Sequence, residues 1–265
     1  MKNFSPPIEI SKVHLATRKA SVHIIREDLL PGGTKQRAII PFLEDLIQQG
    51  HDEFVYASPF CGFAQIALAY AGKHLQKKIT IFCETMDSGD KVDSKFHEFS
   101  LLAQSLGASI KPCKDLQQAE QKASEYSRSH GAFQVPLGFN HEGFLNHYSK
   151  ALLIQFLILK KKIDFTPKVL WVPIGSGTLV RLFRKVLPQE ITLNCVDVRV
   201  LKPTDDRIKN IQNLENVNFY RADLNFHEES HELPPLPSNK YYDAKLWTFI
   251  NRFATHNDIW WNVAR

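Results

Sequence analysis

The stretch KVLWVPIGSGTLVRLFRKVL, residues 168–187, joins a strand pattern to a helix pattern through a short glycine turn. The apolar run up to Ile174 predicts a buried strand, and the apolar spacing that follows predicts a helix. The turn consists of Gly175, Ser176, Gly177 and Thr178. Backbone amides and hydroxyls at a helix start are typical of a cradle for a single phosphate group, although a plain tight turn fits the same residues. No lysine follows the second glycine and no third glycine is present, so the turn is neither a Walker loop nor a dinucleotide fingerprint.

On both sides of this stretch, strand-like and helix-like segments alternate along most of the chain. Strands are predicted at 21–25, 53–57, 78–83, 108–113, 132–135, 168–175, 191–200 and 258–263. Helices are predicted at 35–50, 62–72, 94–107, 115–131, 142–162, 176–187 and 243–253, with less regular sequence between 201 and 242. This alternation predicts an α/β fold with mostly parallel sheets covered by helices, and ligands at the carboxyl edge of the strands.

The composition fits a folded protein without a nucleic-acid or membrane partner. The chain has 265 residues, 43% of them hydrophobic and 23% charged, and this length suffices for one large core or for two lobes. Its formal charge of +5 is spread along the sequence, and the one tight basic run, Lys160–Lys162, closes a predicted helix, where cations favour the dipole. The start, MKNFSPPIEISK, lacks an apolar signal core, so we expect a cytoplasmic protein.

The cysteines and histidines do not suggest a metal site. The four cysteines are far apart and are expected to be buried free thiols. The eleven histidines show no spacing typical of shared metal ligands.

Two further turns could carry chemistry. In PGGTK, Pro31–Lys35, two glycines permit close approach of a ligand, and Lys35 begins a predicted helix. The positive end of the helix dipole and low solvent access would lower the pKa of this amine, although a solvated surface lysine fits the same sequence. In YASPFCGFAQIALA, residues 56–69, Ser58 and Gly62 bracket a bend between a strand and a helix.

Together these segments resemble the fold-type II enzymes that use pyridoxal 5′-phosphate (PLP), the tryptophan synthase β-like superfamily. REDLLPGGTKQR (26–37) resembles the family segment that contains its Schiff-base lysine, and PIGSGT (173–178) resembles its phosphate loop. SPFCGFAQIALA (58–69) lies where the family has its Ser-x-Asn cofactor loop, and YYDAKLW (241–247) resembles its Tyr-x-Gly-Lys motif. The nearest branch contains 1-aminocyclopropane-1-carboxylate deaminase and D-cysteine desulfhydrase.

The resemblance implies a two-lobe architecture with PLP between the lobes. The larger, phosphate-binding lobe would comprise 1–45 and 137–265, and the smaller lobe 46–136. The implied activity is that of a PLP-dependent lyase or deaminase acting on a small amino acid, in a homodimer.

The resemblance also assigns roles to single residues. Lys35 would be the Schiff-base lysine and the later proton carrier at the substrate α-carbon. Ser58 would contact the substrate carboxylate or act near the reacting carbon, and Tyr242 would be a second acid/base group. The cofactor phosphate would lie on the turn Gly175–Thr178.

Three positions depart from the family pattern. Phe60 stands where the family usually has an asparagine beside the ring hydroxyl, and it can stack but cannot donate a hydrogen bond. Val263 stands near the place of a Ser or Thr at the pyridine nitrogen, so Asn262 or a water would replace that contact. The glycine of the tyrosine motif is Ala244.

These departures leave two alternatives open: a catalytically impaired PLP-binding protein of the same fold, and a sugar-phosphate- or nucleotide-binding α/β protein without PLP. Outside the motifs, we expect Glu27 and Asp28 to be solvated or capping residues, and Trp260 and Trp261 to pack in the core and at its rim.

Overall fold

The computed structural model describes residues 4–86 and 96–265, which form two compact units. The first unit contains the residues up to Thr34 together with Tyr148–Arg265, and the second contains Lys35–His147. The predicted smaller lobe, 46–136, lies inside the second unit, and its assignment as a separate domain stays a prediction.

The first unit is built on a sheet of six strands within the described residues. Its strands are β1 (Ile10–Leu15), β2 (Ala20–Arg26), β7 (Val169–Ile174), β8 (Thr192–Asp197), β9 (Val217–Arg221) and β10 (Asp258–Asn262). Their order is β1-β2-β10-β7-β8-β9, and only the β1–β2 pair is antiparallel. The carboxyl ends of β2, β10, β7, β8 and β9 therefore lie at one edge of the sheet.

Helices accompany this sheet, and its central strands are buried on both faces. The helices are α6 (Thr178–Val186), α7 (Asp206–Gln212), α8 (Asp243–Phe253) and α5 (Glu142–Lys162), whose first six residues belong to the second unit. Trp171, Trp260 and Trp261 are fully buried in β7 and β10. Continuous apolar runs of this kind are typical of parallel strands covered on two sides, so both tryptophans of the pair are core residues.

The second unit has a parallel sheet in the order β5-β4-β3-β6. Its strands are β3 (Glu53–Ser58), β4 (Lys78–Glu84), β5 (Ser109–Cys113) and β6 (Phe133–Val135). Its helices are α1 (Gln36–Gln48), α2 (Ala64–Leu75), α3 (Glu98–Ser105) and α4 (Leu116–His130). Local sequence signals set the ends of α4: Asp115 accepts a hydrogen bond from the Gln118 amide at 2.7 Å, and Gly131 follows the helix with φ +68°.

The α/β class with mostly parallel sheets is confirmed, and the predicted elements in the described residues are found within a few residues of their expected limits. Positions 94 and 95 of one predicted helix lie outside the described residues. The sequence prediction missed β1, α7 and β9. It also ended α2 at Gly72, whereas the helix continues to Leu75 and stops before Gln76 in the left-handed conformation.

All four cysteines are buried free thiols, as predicted. In the part of the chain that is described, no helix is long and apolar enough to cross a membrane. Among the same residues, no group of three or more His, Cys, Asp or Glu side chains is placed to hold a metal ion.

Candidate functional site

The predicted phosphate loop connects β7 to α6 in the first unit. Gly177 precedes the first turn of α6 with φ +81°, and a Cβ there would lie 2.6 Å from Ile211 Cδ1. Backbone and packing therefore both require glycine at this position. The hydroxyl oxygens of Ser176 and Thr178 are 3.1 Å apart, so the loop presents two hydroxyls at the start of α6.

Tyr242 lies against this loop. A Cβ on Gly175 would come within 3.0 Å of Tyr242 Cε1, so glycine at 175 permits the close approach of the ring. The half-buried Tyr242 immediately precedes α8, and its ring packs edge-on against Phe226 with centroids 5.1 Å apart. The predicted acid/base tyrosine and the predicted phosphate loop are thus neighbours.

Asn262 ends β10, which pairs with β7 in the sheet, and its side-chain amide has a defined orientation. Nδ2 donates to Asp28 Oδ1 at 3.0 Å and to the Pro237 carbonyl at 2.9 Å. Both amide hydrogens are thereby used. Oδ1 is buried and has no hydrogen-bond partner among the described residues. The arrangement leaves an acceptor, not a donor, at this strand end.

Asp28 is held by Arg26, which donates from Nε to Oδ1 at 2.8 Å and from Nη2 to Oδ2 at 2.7 Å. Asp28 and Glu27 are both fully buried, so the expectation that they are solvated is wrong. Sequence reasoning missed Asp28 because its partner Asn262 is 234 positions away. The paired carboxylate orients the Asn262 amide.

A second buried carboxyl, Asp243, fixes the backbone that follows β10. It accepts hydrogen bonds from the amides of Val263 at 2.8 Å and Ala264 at 3.2 Å. Burial, with a further contribution from the nearby charge of Asp28, raises the pKa of Asp243 well above its usual value. Val263 therefore takes part in this contact through its backbone amide.

The segment that leads to Lys35 is anchored to the same strand end. The Thr34 amide donates to the Val263 carbonyl at 3.0 Å, and Trp261 Nε1 donates to Thr34 Oγ1 at 3.1 Å. Thr34, the last residue of this segment in the first unit, therefore lies beside the carboxyl end of β10, and Lys35 follows it in the sequence.

Lys35 ends a short 3₁₀ turn and directly precedes α1. Its side chain is half-buried, and removal of the amine from water lowers its pKa from the usual 10.5 to about 8. The direction agrees with the sequence-based expectation. An amine in this range is partly neutral near physiological pH, as a nucleophile requires.

The predicted loop of the second unit follows β3 and contains Ser58 and Phe60. Ser58 is fully buried, and its hydroxyl donates to the Pro59 carbonyl at 3.0 Å. The Phe60 amide donates to Glu84 Oε2 at 3.1 Å, and the Phe60 ring lies edge-on to His97 with centroids 5.0 Å apart. The bend is therefore fixed by its own contacts.

Further polar contacts stabilise the bend after β3. A Cβ on Gly62 would lie 2.7 Å from Ser58 Oγ, so the chain turns tightly here. Gln65 Nε2 donates to the Gly62 carbonyl at 2.9 Å, and Ser100 Oγ donates to Gln65 Oε1 at 2.9 Å. Sequence reasoning did not identify Gln65 or Glu84, whose relation to the loop arises from packing.

Solved structures of known proteins share this fold, whereas no family model and no curated protein sequence matches the chain. A structure of an ACC deaminase homologue superposes with a TM-score of 0.77 at 16% identity, over 99% of this chain and 90% of that one. The chain has the fold-type II architecture. Diaminopropionate ammonia lyase of Escherichia coli, solved with an aminoacrylate-PLP azomethine intermediate, gives a TM-score of 0.69 at 11% identity, over 98% of this chain and 84% of that one. A structure of threonine deaminase isoform 2 from Solanum lycopersicum gives a TM-score of 0.64 at 14% identity, over 92% of this chain and 75% of that one.

Proposed function

We propose that this chain is a PLP-dependent lyase or deaminase that acts on a small amino acid and that Lys35 holds the cofactor. The observation that carries the proposal is the state of this lysine, whose amine has a pKa of about 8 because it is removed from water. A lysine of this kind on a PLP-enzyme fold is the pattern expected of a functional amine.

The first unit fits the phosphate group of PLP. Gly175 and Gly177 place no side chain over the loop, and a Cβ at either position would meet Tyr242 or Ile211. Helix α6 begins at Thr178, so the positive end of its dipole and the hydroxyls of Ser176 and Thr178 favour an anion at this loop. This donor set suits one phosphate monoester.

Asn262 fits the pyridine nitrogen of PLP in its protonated form. Because Asp28 and the Pro237 carbonyl use both amide hydrogens, Oδ1 offers only an acceptor. A buried acceptor without a partner costs about 1–3 kcal/mol, and a pyridinium N–H would satisfy it. Asn262 thus substitutes for the hydroxyl that the family resemblance places near Val263.

PLP, when bound, supplies an electron sink for the substrate α-carbon. The chain provides the proton transfers. With a pKa of about 8, roughly a tenth of the Lys35 amine is neutral at pH 7, which suits a group that holds the cofactor and then moves a proton. Tyr242, beside the phosphate loop, is the second acid/base group, and Ser58 is the proposed contact of the substrate carboxylate. We further propose a cytoplasmic homodimer.

A second candidate, a catalytically impaired PLP-binding protein, is favoured by the loop after β3. Its Phe60 amide is already paired with the Glu84 carboxylate, and its phenyl ring offers no hydrogen bond to the cofactor. In this case Phe60 would serve only as a stacking surface. Cofactor binding would be retained without turnover.

The decisive experiment is incubation of the purified protein with PLP, followed by borohydride reduction and peptide mass spectrometry. We expect a visible absorption band and a stable mass increase on the peptide that contains Lys35. Lys35→Ala should abolish both, Thr178→Ala should weaken cofactor retention, and Lys209→Ala, at an exposed site on α7, should change neither. Absence of colour and of Lys35 modification would leave only a phosphate-binding protein without PLP.

If the adduct forms, a panel of small D- and L-amino acids separates enzyme from binder. Spectral change with release of ammonia and a 2-oxo acid supports the deaminase. A stable adduct without turnover over the whole panel supports the impaired binder.

A further inference from the structure

The hydrogen bonds of Asn262 favour one orientation of its side-chain amide over the other. A half-turn of the amide would exchange the donor Nδ2 and the acceptor Oδ1. In the observed orientation Nδ2 donates to Asp28 Oδ1 at 3.0 Å and to the Pro237 carbonyl at 2.9 Å. After a half-turn, Oδ1 would face both of these acceptors, and a hydrogen bond to a carboxylate and one to a carbonyl would be lost. We expect the turned amide to be disfavoured by roughly thirtyfold or more.

Asp28 is itself held in place beside Asn262. Its side chain is fully buried, and Arg26 donates to it from Nε to Oδ1 at 2.8 Å and from Nη2 to Oδ2 at 2.7 Å. Such a paired contact fixes the plane of the carboxylate as well as its position. Arg26 is held in turn by Ser11, whose Oγ accepts from Nη1 at 3.0 Å. Oδ1 of Asp28 therefore accepts from Arg26 and from Asn262 at the same time.

The neighbouring carboxyl group of Asp243 has a different task. Its Oδ1 accepts from the Val263 amide at 2.8 Å, and its Oδ2 accepts from the Ala264 amide at 3.2 Å. Asp243 thus orients the backbone after β10. Among the carboxyl groups of the described residues, only Asp28 accepts a hydrogen bond from the Asn262 side chain.

The contact of Nδ2 with Asp28 also affects the opposite end of the amide. A hydrogen bond donated to a carboxylate shifts electron density toward Oδ1, and hydrogen bonds in a chain strengthen one another in this way. Oδ1 is buried and accepts no hydrogen bond from the residues that the structure describes. A polarised acceptor out of contact with water favours a cationic N–H group over a ring atom that can only accept.

We propose that Asp28 is a positioning residue that makes the site selective for a protonated pyridine ring. Asp28 acts through Asn262: it holds Nδ2, keeps Oδ1 available as an acceptor and disfavours a ring nitrogen without a proton. The inference rests on the proposed function and deepens it, because protonation of the ring strengthens PLP as an electron sink. Local sequence did not indicate this role, since it placed Asp28 among solvated or capping residues.

Binding of 4′-deoxypyridoxine 5′-phosphate with a ¹⁵N label in its ring tests the proposal. This compound lacks the aldehyde of PLP and cannot react with Lys35, so its binding does not depend on the proposed attachment. The ¹⁵N chemical shift reports whether the ring nitrogen carries a proton. At a pH where the free compound is mostly deprotonated, we expect a protonated ring on the wild type. Asp28→Asn should shift the ring toward the deprotonated form, because the new amide can place a donor against Asn262 and permit its half-turn.

The 1-deaza analogue of the same compound, in which C–H replaces the ring nitrogen, provides a second readout. We expect the wild type to bind the pyridine compound about tenfold or more tighter than the analogue, the difference expected for one charge-assisted hydrogen bond. In Asp28→Asn this ratio of affinities should fall toward one. General damage to the site would weaken both compounds alike and leave the ratio unchanged, so the ratio separates positioning from a purely structural role.

Two further variants complete the experiment. Asp28→Ala also removes the acceptor of Nδ2 and should lower the ratio should Asp28→Asn fail to fold. Ser11→Ala is the matched control, because it removes only the Nη1 contact of Arg26 and should keep the wild-type ratio.

The outcomes separate this inference from the proposed function. A deprotonated ring on the wild type, or an unchanged ratio in the folded Asp28 variants, would overturn the role of Asp28 and leave the Lys35 adduct as it stands. Failure of the wild type to bind either compound would overturn the inference together with the proposed cofactor site.

Discussion

Replacement of Lys35 by methionine should stabilise the cofactor-free protein at neutral pH while it removes the proposed attachment point. Methionine is unbranched and of similar length, and it carries no charge that must leave water. The gap between the usual pKa of 10.5 and the folded value of about 8 corresponds to roughly 3 kcal/mol of unfavourable free energy for the charged amine. Because the side chain is only half-buried, solvent screening reduces this figure, and we expect a gain of about 1–3 kcal/mol at pH 7.

The stability that Lys35→Met gains over the wild type should decrease as pH rises. Below pH 8 the amine is charged in the folded and the unfolded protein, so the wild type carries the full penalty. Between pH 8 and 10.5 the unfolded chain binds more protons than the folded one, and the stability of the wild type rises with pH. Above pH 10.5 the penalty has disappeared, and only the packing difference between lysine and methionine remains.

Urea unfolding followed by circular dichroism at pH 7, 8, 9 and 10 measures this dependence. Each transition is fitted separately, since two compact units need not unfold together. The matched control is Lys209→Met, whose lysine side chain is 55% exposed, and its stability should stay within about 0.5 kcal/mol of the wild type at every pH.

A Lys35→Met variant that is equally stable or less stable at pH 7 would contradict the desolvation of this amine. A gain of constant size from pH 7 to 10 would do the same, because it would come from packing and not from charge.

Two further predictions concern the loop and the buried carboxyl of the first unit. Gly177→Ala should lower the free energy of unfolding by about 2–4 kcal/mol, because the position has a left-handed backbone and the new Cβ would clash with Ile211 Cδ1. Gly131 also has a positive φ, +68°, but open space around it, so Gly131→Ala should cost only the strain of the left-handed backbone. Ile211→Val removes that Cδ1 atom, so urea titration of the double mutant should recover part of the loss, and strict additivity would refute the contact. Asp243 binds a proton more readily when folded, so its contribution to stability falls as pH rises from about 4. Asp243→Asn should flatten this part of the stability–pH curve, and an unchanged slope would show that another group is responsible.

The sequence alone determined the fold class, most elements and the turns that carry the proposed site. Apolar periodicity and glycine turns are properties of consecutive residues, which is why the β7–α6 turn and the helix after Lys35 were predicted close to their observed limits. The elements it missed have weaker local patterns: β1 and β9 are partly exposed, and α7 has only seven residues.

The tertiary structure decided the chemical state of the site. Asn262 offers only an acceptor because Asp28, 234 positions earlier, and the Pro237 carbonyl each accept one of its amide hydrogens. Burial determines the pKa of Lys35 and of Asp243, and burial depends on side chains from distant parts of the chain. Local sequence fixes backbone preferences over a few residues, whereas desolvation and hydrogen-bond orientation arise from packing between remote segments, which only the folded chain reveals.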